Sequence, residues 1–262
     1  MKNILILYFS GNGATKFIAQ NIKNILSDKK FSTLCNVELY SIENINTANL
    51  NQYDAFIIGT PVYHAAPCKL IINFFETADK LDKICPTFLF NSRGLYSCNT
   101  NRILAKKILN KNFAVIKDKD YQSPASDGAL IFPFINRFFK FDKNLKTKLY
   151  EHCCDFVTQV HNNSCNSYIP RFRIISIFNA PNKLLGQHST FPIYLHEKSC
   201  IQCNKCINNC PHNSIETDLN GFPKVNSKSC ENCYRCIHNC PKMALSLNKH
   251  KPPRKLIVYS DF

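Results

Sequence analysis

The chain has 262 residues and 15 cysteines, long enough for more than one domain, and eight of those cysteines crowd between Cys200 and Cys240, which marks a boundary in composition. Its formal charge of +15, from 33 basic against 18 acidic residues, raises nucleic acid as a partner, but the lysines are dispersed with no basic run of five, and no nucleic acid is expected. Lys2 is followed by an apolar stretch over 4–9 that is too short for a transmembrane segment and meets a glycine loop instead of a cleavage site, so a reducing, cytoplasmic setting is expected, where thiols serve as metal ligands or buried apolar groups.

Short apolar runs at 3–9, 37–41, 55–59, 87–91 and 113–116 read as five strands, and they alternate with amphipathic stretches. Over 15–26 the apolar positions Phe17, Ile18, Ile22, Ile25 and Leu26 share one helical face; 69–78 and 101–109 read likewise. Right-handed crossovers wind such a chain into one open α/β sheet.

After the first run comes Ser10-Gly11-Asn12-Gly13-Ala14-Thr15, opening the first helix. Glycines allow close backbone approach, hydroxyl and amide side chains donate, and first-turn N–H groups favour an anion, so a phosphate suits this loop. The stretch resembles the phosphate loop of flavodoxins, with Ser10, Gly13 and Thr15 on matching positions and Asn12 in place of the usual Thr. A dinucleotide fingerprint starts at Gly11 and Gly13 but fails at Lys16. The resemblance implies a flavodoxin-like five-stranded parallel sheet and bound FMN, with the flavin ring beyond the carboxyl ends of strands three and four. There Gly59-Thr60-Pro61-Val62-Tyr63-His64 resembles the family's Gly-x-Pro-x-Tyr segment, and Asn91-Ser92-Arg93-Gly94-Leu95-Tyr96 its Ser/Thr and glycine loop. It further implies that Tyr63 stacks on the ring while groups from Pro61 to His64 and from Asn91 to Tyr96 meet its polar edges. His64 reads as a surface histidine, not a catalytic acid.

Downstream, Phe134, Phe138, Phe139 and Phe141 belong to an aromatic, basic segment ahead of a helix expected over 143–160, which closes the sheet. Residues 162–167 with Pro170, Pro181 and Pro192 read as irregular linker, interrupted by a strand-like patch at 173–178. Cys35, Cys68, Cys85, Cys98, Cys165 and the Cys153-Cys154 pair lack ligand spacing and read as structural.

The most specific pattern is Cys200-x2-Cys203-x2-Cys206-x3-Cys210-Pro211, repeated 30 residues on as Cys230-x2-Cys233-x2-Cys236-x3-Cys240-Pro241. Three thiolates at this spacing bend round one iron–sulfur cubane, and the fourth, before proline, is carried to the other cluster. The ligand sets therefore interleave: Cys200, Cys203, Cys206 and Cys240 for one [4Fe-4S] cluster, Cys230, Cys233, Cys236 and Cys210 for the second. Zinc modules have no use for the third close cysteine or the duplicated Cys-Pro. The array resembles the bacterial two-cluster ferredoxins over 194–247, and so implies a small α+β domain.

Together the halves resemble the flavodoxin–ferredoxin fusion family of anaerobic microorganisms. The expected division is a flavodoxin-like FMN domain at 1–165, a linker at 166–193, a ferredoxin-like domain at 194–250 and a tail at 251–262. The expected function is electron transfer between two clusters and FMN, with redox proteins, acidic ones given the basic charge, as partners. Two alternatives stand beside it: an FMN-dependent reductase of a small acceptor such as a quinone or nitro compound, and a docking subunit with a basic surface.

Overall fold

The computed structural model describes residues 1–45, 47–124, 140–163, 166–178 and 192–250. The segment 132–139, with Phe134, Phe138 and Phe139, Pro181, Cys165 and the tail 251–262 lie outside them.

Five parallel strands form the main sheet: β1 (Lys2–Tyr8), β2 (Cys35–Ser41), β3 (Ala55–Tyr63), β4 (Cys85–Arg93) and β5 (Phe113–Gln122). Their order is β2-β1-β3-β4-β5, the flavodoxin-like winding. Strand order reverses between β1 and β3, which are neighbours with Tyr8 beside Gly59. Loops leaving their carboxyl ends therefore form a crevice.

The central strands β1, β3 and β4 are apolar on both sides because helices cover both faces. Ile4, Ile6 and Tyr8 of β1 pack with α1 (Ala14–Leu26) and α4 (Leu145–His161), while Leu5, Leu7 and Phe9 pack with α2 (Lys69–Thr77) and α3 (Thr100–Ile108). Burying one such side chain stabilises by roughly 1.5–3 kcal/mol. Phe141 packs on the α1 side, its ring 4.7 Å from that of Phe17.

Three strands outrun their expected ends, β4 by two residues and β3 and β5 by more. β5 continues through the charged run 117–120 after a register shift between Thr87 and Phe88 of its neighbour β4, because each of three charges there finds a partner. Lys117 pairs with Asp155 of α4, Asp118 accepts from Tyr168 Oη at 2.7 Å, and Asp120 binds Arg93 at 2.7 Å and Arg173 at 2.5 Å. β3 runs on to Tyr63 and reverses at His64 and Ala65, both left-handed (φ 47° and 61°), so that Ala66–Pro67 pairs back antiparallel. This is the turn geometry that suits a two-residue hairpin.

Residues 168–173 are strapped to the sheet edge. Tyr168 N–H donates to Val115 O at 2.9 Å, Arg102 donates to Pro170 O at 2.8 Å, and Arg173 donates to Ser97 Oγ at 2.6 Å. The strand-like patch expected at 173–178 is instead a helical turn, Ile175–Phe178. Ile174 and Ile175 stand exposed there, and among the described residues no strand pairs with this turn.

The second half is small and symmetric. Strands Tyr194–Leu195 and Leu245–Ser246 pair antiparallel, as do Ile215–Thr217 and Pro223–Val225. Helical turns Lys205–Asn208 and Arg235–His238 follow the ligand loops, around a core of Ile215, Tyr234, Cys236, Ile237 and Leu245.

Candidate functional site

The duplicated cysteine sequence folds into duplicated backbone. Gln202, Asn204 and Asn213 adopt left-handed φ, and so do their counterparts Asn232, Tyr234 and Met243, 30 residues on. These turns aim N–H groups at sulfur: Gln202 N to Cys200 Sγ at 3.4 Å, Asn232 N to Cys230 Sγ at 3.4 Å, Ser214 N to Cys210 Sγ and Ala244 N to Cys240 Sγ both at 3.2 Å. Such bonds stabilise a thiolate and tune a cluster.

Cys200, Cys203, Cys206 and Cys240 line one cavity, so the fourth cysteine of the second repeat meets the first three of the first. In the other group Cys210 and Cys230 are electrostatic neighbours, as are Cys236 and Cys233. Burial pushes the Cys233 thiol up to about 12, with the Cys230 and Glu231 charges adding to it. A metal must displace that proton, as thiolate ligation requires. Sulfur-only donor sets with backbone N–H support fit iron–sulfur clusters.

The loops expected to hold the flavin gather at the carboxyl ends of β1, β3 and β4. Gly13, at φ 100°, makes the turn into α1 that a side chain would strain. Two loop amides are held by the loop's own side chains: Gly13 N–H donates to Ser10 Oγ at 3.1 Å and Ala14 N–H to Asn12 Oδ1 at 3.1 Å. Thr15 Oγ1 and Ser92 Oγ meet at 2.7 Å in a buried pair that ties this loop to the β4 segment. Amides and hydroxyls at a helix N terminus are the donor types a phosphate takes, and here both amides and both hydroxyls bond within the protein. Thr60 Oγ1 accepts from Cys68 N–H at 3.1 Å and donates to Pro61 O at 3.0 Å, which fixes the β3 hairpin. Asn91 Oδ1 and Tyr63 Oη are buried without a hydrogen-bond partner, Asn91 lining a cavity with Asn101 and Arg173 and Tyr63 lying against Gly11. Val62 and His64 are half-buried. Arg93 is tied back to Asp120 and to the carbonyls of Gly94 and Leu95, and Tyr96 is 53% exposed.

The second cysteine repeat sits on these loops. Cys233 belongs to the first half's apolar cluster. A Cβ added at Gly11 would lie 2.3 Å from Tyr63 Oη and 2.5 Å from Cys233 O, so Gly11 is needed here for the close approach of a second domain. Two side chains of the second ligand loop clamp the contact. Arg235 binds both carboxylate oxygens of Glu43 at 2.6 and 2.8 Å, donates to Ser10 O at 2.8 Å and lies over the Phe9 ring at 4.8 Å. Burial alone would raise the Glu43 carboxyl, but the Arg235 guanidinium outweighs it and holds the group below its ordinary value. Glu231 accepts from Lys69 N–H at 2.5 Å and from Cys68 Sγ at 3.1 Å, capping the N terminus of α2 from the other domain. His212 Nε2 lies 3.0 Å from Glu231 Oε2 without the alignment of a hydrogen bond. Cys68, His212 and Glu231 are metal-ligand types within 4.8 Å of one another, but both carboxylate oxygens are already engaged by α2, and the group is a docking knot.

Sequence reasoning missed Glu43, Cys68, Glu231 and Arg235. The readable signal was the mismatch between ligand loops, Cys-Ile-Gln-Cys-Asn-Lys-Cys in one repeat and Cys-Glu-Asn-Cys-Tyr-Arg-Cys in the other.

Residues 5–115 match the family model of a flavodoxin domain, and residues 192–241 that of a 4Fe-4S dicluster domain. By domain composition the chain is thus a flavodoxin–ferredoxin fusion. A flavodoxin domain implies FMN and a dicluster domain implies iron–sulfur clusters, which together give an electron-transfer role. Among solved structures it is similar to a flavodoxin from the domain Archaea (14% identity, 61% of this chain and 99% of that one, TM-score 0.45). It is also similar to oxidised flavodoxin 1 from Bacillus cereus (15%, 60% and 97%, TM-score 0.43) and to two-electron reduced flavodoxin from Megasphaera elsdenii (21%, 45% and 84%, TM-score 0.38). No curated protein matches the chain. Among the described residues no helix is long and apolar enough to cross a membrane.

Proposed function

We propose that the chain is a cytoplasmic electron carrier of anaerobic metabolism, exchanging electrons between redox partner proteins through two [4Fe-4S] clusters and one FMN. Cys200, Cys203, Cys206 and Cys240 hold one cluster; Cys230, Cys233, Cys236 and Cys210 hold the other. Ser10 to Thr15 hold the FMN phosphate, and Thr60 to His64 with Asn91 to Tyr96 flank its ring. The domains divide as 1–165 and 194–250, joined by 166–193 and followed by the tail 251–262. When bound, FMN supplies a centre for one or two electrons and each cluster a centre for one.

The observation that carries this reading is the contact of Cys233 with Gly11 and Tyr63, which sets a cluster ligand against the flavin loops. Cys233 and Tyr63 are buried there, so water is excluded where the two kinds of centre would meet. Glu231 and Arg235 keep the contact closed.

Anaerobic reductive titration followed by visible and EPR spectroscopy tests it. Bleaching of bound flavin together with cluster signals in one chain is expected. Cluster signals from protein that takes up no flavin would contradict it.

A further inference from the structure

The two ligand loops differ sharply in exposure although their backbones repeat. Residues 201–205 are exposed throughout, with Ile201 57% exposed, whereas residues 231–234 are all buried, Glu231 and Cys233 against the flavodoxin domain and Tyr234 in the second half's own core. Cys203 reaches the surface and Cys233 does not. The charged residues lining the first cavity are Lys205 and Lys242, with no acid among its lining, and Lys198 stands exposed two positions before Cys200. Gln202 Nε2 donates to Asn220 O at 2.9 Å, so the hairpin tip buttresses the exposed loop instead of covering it.

We propose that this face, the first ligand loop with Lys205 and Lys242, is the docking port for an acidic one-electron carrier protein, and that the second cysteine repeat is the inner relay toward the flavin loops. The proposal rests on the electron-carrier reading above and adds the order of the centres and the chemistry of the partner. In the exchange one electron leaves the carrier, which is oxidised, and the outer centre is reduced by one; no bond forms or breaks. Lysines around an exposed apolar tip steer an acidic partner, and such steering weakens as salt rises.

The test is calorimetric binding of a purified acidic two-cluster bacterial ferredoxin to anaerobic holoprotein whose iron and FMN contents have first been measured. Lys205→Glu with Lys242→Glu is expected to raise Kd about tenfold at low ionic strength and to flatten its salt dependence. Lys29→Glu with Lys80→Glu, exposed lysines of the flavodoxin domain, changes net charge equally and is expected to shift Kd less than about twofold. Equal weakening by both pairs, or none by the first, would overturn the port. Protein lacking flavin or iron would instead remove the reading beneath it, so the two failures are told apart.

Discussion

The two cysteine repeats share spacing, left-handed turns and N–H···S bonds, yet the ligand loop of one faces solvent at 201–205 and that of the other is buried at 231–234. What separates them is the side chains between the ligands. Ile201 and Lys205 in the first repeat become Glu231 and Arg235 in the second, and these two tie that loop to α2 and to the residues ahead of α1. Cysteine spacing specifies a cluster; the intervening residues specify what the cluster touches.

Breaking the clamp from the flavodoxin side should have the largest effect. Glu43→Ala leaves Arg235 half-buried without its partner and is expected to cost about 3 kcal/mol in urea unfolding, whereas Lys205→Ala at the matching position of the first repeat should stay within about 0.5 kcal/mol. Gly11→Ala comes next. Its methyl would meet the Cys233 carbonyl and Tyr63 hydroxyl, so a loss of about 2 kcal/mol is expected by the same measurement. Glu231→Gln keeps the shape but removes the charge at the α2 N terminus, for about 1 kcal/mol, while Ile201→Gln should change stability little.

A pH-dependent effect sharpens the comparison by isolating the flavodoxin domain. Burial, then Lys117 and Lys119, lower the His152 imidazole to about 4, where its Nδ1 lies 2.8 Å from Tyr121 Oη. The unfolded chain takes up this proton near pH 6.5, before the folded one does, so the stability is complete above about pH 6.5 and is lost as pH falls toward 4. Unfolding midpoints at pH 7 and pH 5 should show that decline, and His152→Gln should reduce it.

The strand cores, the helices and the cysteine pattern could be read directly because their signals are local: apolar runs, one-faced periodicity and ligand spacing. What the sequence concealed depends on partners far along the chain. The strand expected at 113–116 stops short of the charged residues 117–120, which Asp155, Tyr168 and Arg173 bind within the strand. Cys68 looks isolated because the carboxylate it meets is 163 residues away. Gly11 looks like part of a phosphate loop, and only the fold reveals that it also admits a second domain. Tyr63 was read as a flavin contact, and the structure adds a neighbour, Cys233, that no flavodoxin motif announces.

The central claim is that one chain holds a flavin and two iron–sulfur cubanes in series. It is tested most directly by assaying iron, acid-labile sulfide, zinc and extractable flavin in anaerobically purified protein. About eight irons, eight sulfides and one FMN per chain are predicted; zinc in place of iron and sulfide, or a chain without flavin, would contradict it.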